Sequence, residues 1–246
     1  MKARFILFVL FPFVLLFPQC KKENACDCFK GTGDIVTEER QLQPYHNVYV
    51  EDNVNLIFVE DTMNIVRVEA GKHLIKLVKT ESDGEWLRIR NDNKCNFMRR
   101  YGIPINVYIH YVRNSIYHIK TKGTGEITNA NPCTSDSIDL DVESSGDITF
   151  EMNSPAVYTH QHGAGDITLT GHSDNVIIYS RGTGFTITDG ITSGYTWVST
   201  NTTGKITVAP SNLLIVEILG PGNVYYKGTP ASIVSSELNT GKLLPL

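Results

Sequence analysis

The chain has 246 residues, 41% of them hydrophobic and 20% charged, which allows one large or two modest domains with a real core. Formal net charge is -4 and no basic cluster is longer than Arg99-Arg100, so composition argues against a nucleic-acid partner. Twenty glycines, with Thr and Ser scattered between short Val/Ile/Tyr runs, fit an all-β protein with many turns.

Residues 1–19 read as a signal peptide. Lys2 and Arg4 precede an apolar run from Phe5 to Phe17, interrupted by Pro12 and too short for an ordinary membrane span. Cys20 follows directly, and a Cys in this place resembles a bacterial lipoprotein signal, in which the thiol is diacylated and anchors the protein. Phe17-Pro18-Gln19 departs from the small residue usual before that Cys, which leaves plain export as the alternative. The expected location is the cell envelope, as an outer-membrane lipoprotein with its facing side open. Residues 20–40 read as a tether, beginning with Lys21-Lys22-Glu23-Asn24, and a disulfide-linked arm.

Cys26, Cys28, Cys95 and Cys133 are an even number in an exported chain and are the disulfide candidates. Cys26 and Cys28 are too close to bridge each other comfortably, so each is expected to reach Cys95 or Cys133. A metal site on Cys26-x-Cys28 is the competing reading, but the usual spacing is CxxC, and no metal or other cofactor is expected.

The remainder, 41–246, reads as a single β-solenoid domain, with irregular rungs over 41–115 and regular ones over 116–246. An early Gly31-Thr32-Gly33-Asp34-Ile35-Val36 is either a capping rung or a coincidence. Strands are expected at Asn47 to Val50, Asn53 to Val59, Asn64 to Glu69, Leu74 to Lys79, Trp86 to Arg90 and Ile105 to Val112, with alternation clearest at Val54, Leu56 and Phe58. Residues 91–101 form one long loop. It is a candidate binding loop, or a surface excursion pinned by Cys95.

From Tyr117 onward one phrase recurs, most legibly as Gly163-Ala164-Gly165-Asp166-Ile167-Thr168. Its second glycine falls at 125, 146, 165, 184, 204, 222 and 241 (Ser144 standing where the first glycine would be in the second copy), so the spacings are 21, 19, 19, 20, 18 and 19. A near-constant period of this length points to stacked repeats. Two residues after each glycine stand Ile127, Ile148, Ile167, Thr186, Ile206, Val224 and Leu243; six and eight before it, mainly aliphatic columns share the same inward parity. Each repeat then holds two short strands, and stacking at about 4.8 Å per rung gives a parallel β-solenoid with two main sheets. The glycines are read as tight corners needing positive φ and room for the adjacent backbone. Phe185 and Ile187 fall one position out of phase after Gly184, which predicts a bulge there.

The Gly-x-Gly-Asp/Glu-Ile-Thr turns, Cys26-Asp27-Cys28-Phe29-Lys30, Asn93-Lys94-Cys95-Asn96 and a leader ending at Cys20 together resemble the putative auto-transporter adhesin family with a head GIN domain. The resemblance covers about residue 45 to the C-terminus. It implies an exported β-solenoid of Bacteroidetes-type bacteria, acting in adhesion and without a catalytic set.

Three groups of residues are candidates for chemistry. The column Glu126, Asp147, Asp166 reads as a cation site or, more simply, as exposed turn residues. Outward Asp139, Asp141 and His160 come nearest to a glycan-cleaving constellation but match no signature, and His160, His162 and His172 read as solvated histidines. The third group is an outward column seven residues before each glycine: His118, Asp139, Tyr158, Ile177, Trp197, Ile215 and Val234, flanked by Tyr179 and Tyr195. From residue 158 it is aromatic and aliphatic where a solvated face should be polar, so it reads as a contact stripe. Thr128, Thr149, Thr168 and Thr207 read as a structural ladder.

The expected function is a non-catalytic adhesion or binding module recognising a cell-surface glycan or protein through Tyr158, Ile177, Tyr179, Tyr195, Trp197 and Ile215. The alternatives are a self-associating structural protein of the envelope, working as a homo-oligomer, and a polysaccharide-processing enzyme.

Overall fold

The protein, seen in a computed structural model that describes residues 31–94 and 103–246, is built from strands where Val, Ile and Thr alternate with polar residues. In chain order these are β1 (Ile35–Arg40), β2 (Asn47–Val50), β3 (Val54–Asp61), β4 (Ile65–Gly71), β5 (Val78–Ser82), β6 (Trp86–Asn91), β7 (Ile105–Val112), β8 (His118–Thr121) and β9 (Ile127–Asn129). They continue as β10 (Ser137–Val142), β11 (Ile148–Gln161), β12 (Ile167–Ser180), β13 (Thr186–Thr200), β14 (Ile206–Ile218), β15 (Val224–Tyr226), β16 (Ser232–Glu237) and β17 (Leu243–Pro245). One short 3-10 turn, Ile75–Leu77, precedes β5.

Residues 118–245 form a parallel β-solenoid of about seven turns with roughly 19-residue spacing. β11 to β14 each bend at a corner, so their first halves continue the ladder of β9 and their second halves that of β10. One ladder runs β6, β2, β8, β10, the second halves of β11 to β14, and β16. The other runs β7, β3, β9, the first halves of β11 to β14, then β15 and β17.

Rung order is not chain order in the first half. β2 lies between β6 and β8, and β3 between β7 and β9, so the first rung made is later enclosed on both sides. Parallel pairing then stops: β5 is antiparallel to β6, β4 to β7, and β1 to β4. These strands cap that end. The early Gly31–Val36 phrase belongs to this cap, because Ile35 and Val36 open an antiparallel strand and not a rung of the coil.

The corner glycines correct one expectation. Positive φ occurs at Gly33, Gly84, Gly171 and Gly228, whereas none of the repeated corner glycines adopts it. What they need is space. A Cβ on Gly125 would meet the Val54 carbonyl, on Gly165 that of Gly146, on Gly184 that of Gly165, and on Gly204 that of Gly184. Each corner rests on the backbone of the rung before it, and only hydrogen fits between.

The inner columns are filled as parity requires. Ile119, Leu140, Thr159, Ile178, Val198 and Val216 are buried in succession, and so are Ile127, Ile148, Ile167, Thr186, Ile206 and Val224. At about 25 cal/mol per Å² of apolar surface, this continuous stack is the main stabilising term, and no rung holds it alone. Tyr117 departs from its column: it is half exposed and stacks on His46 at 5.4 Å.

The bulge expected at Gly184 lies further on. Thr186 and Ile187 pair in register with Ile167 and Thr168, with Thr186 inward and Phe185 exposed; the register slips between Thr168 and Thr170 against β13, and again after Thr188 against β14. The signal peptide, Cys20, Cys26, Cys28, Cys95 and most of the expected loop lie outside the described residues. Cys133, the one disulfide candidate among the described residues, is a free thiol buried in the core beside Tyr111, and burial pushes its pKa up.

Candidate functional site

The outer face of the first ladder carries the residues singled out above, because every second residue of its strands points away from the core. Register fixes two adjacent columns. One runs Trp86, Asn47, His118, Asp139, Tyr158, Ile177, Trp197, Ile215 and Val234. Its neighbour runs Arg88, Tyr49, Lys120, Asp141, His160, Tyr179, Ser199, Glu217 and Ser236. Tyr195 sits two residues before Trp197, opposite Asn175 and Leu213.

All six stripe residues therefore share one face. Tyr158 is exposed; Ile177, Tyr179, Tyr195, Trp197 and Ile215 are half-buried. The rings lean on one another along the axis: His160 stacks on Tyr179 at 5.0 Å and 5°, and Tyr179 meets Trp197 at 4.8 Å and 60°. His162 extends this row at 6.4 Å from His160. Stacking in this direction covers the faces of His160 and Tyr179 and turns their edges outward. A partner meets ring edges, a hydroxyl and aliphatic tips, not a row of open ring faces. Tyr158 has no aromatic ring stacked on it among the described residues.

Beside the stripe lies a polar cluster that sequence reasoning assembled only in part. Asp139, Asp141 and His160 do come together, and the register adds His118 and Lys120. Lys120 Nζ lies 3.1 Å from Asp141 Oδ2 and 2.5 Å from Glu143 Oε1; His160 Nε2 lies 3.4 Å from Asp139 Oδ1, and His118 Nε2 3.9 Å from Asp141 Oδ2. Although Asp141 points outward, it is only 8% exposed, because these neighbours cover it. His118 Nε2, Asp139 Oδ1 and Asp141 Oδ1 lack a well-formed hydrogen bond, and the 3.4 Å approach of His160 is a charge contact rather than a good bond.

The charges respond to this crowding in opposite ways. Contact with Asp139 holds the His160 imidazole above its ordinary pKa against partial burial, whereas burial pushes His118 down despite Asp139 and Asp141. Burial also opposes the charge on Lys120, but Glu143 and Asp141 outweigh it and its pKa is raised; Lys120 in turn lowers that of Glu143. Three carboxylates, Asp139, Asp141 and Glu143, share the Lys120 ammonium and the His160 imidazole, so the cluster ties three rungs together and keeps a small negative balance that does not suit a polyanion.

The remaining candidates find structural work. Asp147 Oδ1 accepts the Asp166 N–H at 2.8 Å, and Asp166 Oδ1 the Phe185 N–H at 2.7 Å, so the acidic column caps the next rung's backbone. The threonine ladder pairs Thr128, Thr149 and Thr168, is interrupted by Ile187, and resumes at Thr207. His172 lies apart from His160, against Thr192 and Asp174. Among the described residues no group of three or more His, Cys, Asp and Glu side chains is placed to hold a metal ion. A groove of about 630 Å³ lined by Glu38, Arg40, Lys76 and Glu81 lies at the capped end, off this face. No helix among the described residues is long and apolar enough to cross a membrane.

The fold and face define a repeat scaffold that displays side chains in register along its axis. The chain belongs to the family described as putative auto-transporter adhesin, head GIN domain, whose model matches residues 44–230. Its fold is similar to that of a putative adhesin from Bacteroides fragilis (TM-score 0.79, 17% identity, 88% of this chain and 100% of that one). It is also similar to a putative adhesin from Parabacteroides merdae (TM-score 0.69, 11% identity, 88% and 98%). A third solved structure, described as a putative lipid binding protein from Parabacteroides distasonis, aligns with a TM-score of 0.65 at 17% identity over 87% and 97%. At these identities the likeness is one of fold. No curated protein matches the chain.

Proposed function

We propose that the protein is a cell-envelope adhesion module that holds its partner against the outer face of the first ladder. The observation that carries this reading is the stripe itself: an aromatic and aliphatic column from Tyr158 through Ile177 and Trp197 to Ile215, on a sheet face that no other part of the described chain covers. Family membership supports adhesion in general. Because the stacked rings offer edges, the stripe suits a protein surface, with Trp197 and Tyr158 as anchors. A sugar ring needs an open aromatic face, and Tyr158 is where it would lie.

The chain is exported and lipid-anchored at Cys20 in this reading. An adhesin must be reachable from outside, so intact cells exposed to a protease too large to enter are expected to lose the protein. Full protection on cells whose envelope is intact, with cleavage only after lysis, contradicts the adhesion reading.

A further inference from the structure

We infer that two copies of this chain pair tail to tail through β16, on grounds independent of what the stripe binds. The two ends of the solenoid differ. At one end antiparallel β5, β4 and β1 terminate the parallel ladders. At the other, β16 pairs among the described residues with β14 alone, so within them one whole edge of N–H and C=O groups carries no strand.

The inner column records the same opening. Ile138, Val157, Val176 and Leu214 are at most 2% exposed, yet Ile233, the next residue of that column, is 41% exposed. Val234 and Leu238 beside it are 54% and 69% exposed. Charge does not guard this edge. All ten residues from Ala231 to Thr240 are exposed, and the one charge among them, Glu237, is already held by Lys242 at 2.9 Å and by the Leu243 N–H at 3.0 Å. Solvated edges ordinarily carry Lys, Pro or a bulge, and here only the companion strand β17 does, through Pro245. Pairing through β16 is therefore open, and through β17 it is not.

A second copy fits because, among the described residues, the free edge strands at the other end, β1 and β5, carry Glu38, Glu39, Arg40, Lys79 and Glu81, which disfavours head-to-tail growth and leaves a closed two-fold pair. With the axis through Ser235, β16 runs antiparallel to its mate, Val234 faces Ser236 of the second copy and Glu237 falls opposite its Ile233, so no like charges meet. Two sheets about 10 Å apart, side chains on both outer faces and about nine residues of about 3.3 Å across offer roughly 600 Å² per copy, or roughly 1,200 Å² in the pair, at the lower edge of specific interfaces. Pairing also joins the Val234 ends of the two stripes into one longer surface.

Sedimentation velocity over a concentration series tests this on the full chain, with Cys20→Ser removing acyl-driven association. The expected result is a reversible dimer, weakened on the order of ten-fold or more by Val234→Lys with Ser236→Lys, which places like charges about the two-fold axis. Val112→Lys, an exposed position in β7 near the capped end, is expected to leave it unchanged. A chain that stays monomeric throughout, or a dimer that the β16 variant leaves intact, overturns the proposal. If that variant misfolds, amide exchange on the unsubstituted chain decides: protection of residues 232–237 must rise with protein concentration, and protection independent of concentration overturns it.

Discussion

Gly165→Ala is expected to lower the stability of the protein by about 3 kcal/mol, the upper end of what overpacking a close contact costs. The added methyl has nowhere to go, since it would meet the Gly146 carbonyl, which is backbone and cannot swing aside. The neighbouring corners repeat the contact at Gly184 on Gly165, so relief at one rung is transmitted to the next. Gly194→Ala is the matched control. Its Cβ would find the Asp174 carbonyl at 3.4 Å, an ordinary contact, and its φ is not positive. That substitution is expected to be neutral or to stabilise by about 0.5 kcal/mol through a less flexible unfolded chain. Urea unfolding of both variants checks the contrast; equal effects would mean the corners are not close-packed.

Lys120→Met is expected to cost about 2 kcal/mol, as removing the partner of a buried charge does. Asp141 has only 8% of its surface in water and its Oδ1 lacks a bond within the protein, so the Lys120 ammonium at 3.1 Å from Oδ2 is its main compensation. Glu143→Gln removes the other, more exposed partner of Lys120 and is expected to cost at most about 1 kcal/mol. A double variant with Asp141→Asn should recover part of the Lys120→Met loss, since the charge in need of a partner is gone. Denaturant midpoints at constant m-value for these variants and for Asp141→Asn alone complete the cycle, and additivity of Lys120→Met and Asp141→Asn would show that the pair is not coupled.

Much of the fold was legible because the repeat is in phase. Counting from each second glycine placed Leu140, Ile178, Val198 and Val216 in one inner column, and each is buried. The strand at Ile105 to Val112 is found at its expected bounds. What escaped was non-local. Nothing in Asn47 to Val50 says that Trp86 will lie on one side of it and His118 on the other, because rung order depends on which edge is free when the next segment arrives. The cap escaped for the same reason: Val66, Val68 and Ala70 alternate as a rung would, yet β4 runs antiparallel. At Gly184 the mistake was to keep the aliphatic inside. Thr186 is the buried residue, and the chain tolerates a hydroxyl there without shifting its register.

The candidate face was half legible. The column from His118 to Val234 could be written down from spacing alone, and it holds in the structure. The polar cluster required the column two residues further on, Lys120, Asp141, His160 and Tyr179, which the same count from the glycines would have given. Ring orientation had no sequence signal. Whether Tyr179 offers its face or its edge depends on His160 and Trp197 one rung away on either side, and their stacking is what favours a protein partner over a row of sugar rings.

Binding of the purified chain to partner cells, with Tyr158→Ala and Trp197→Ala together, tests the role of this face most directly. Both side chains lie on the outside of the sheet, so unfolding behaviour should be kept. The double variant is expected to lose at least about ten-fold in affinity, the scale of a lost aromatic anchor. Unchanged binding by a folded double variant would place the adhesive surface elsewhere on the solenoid.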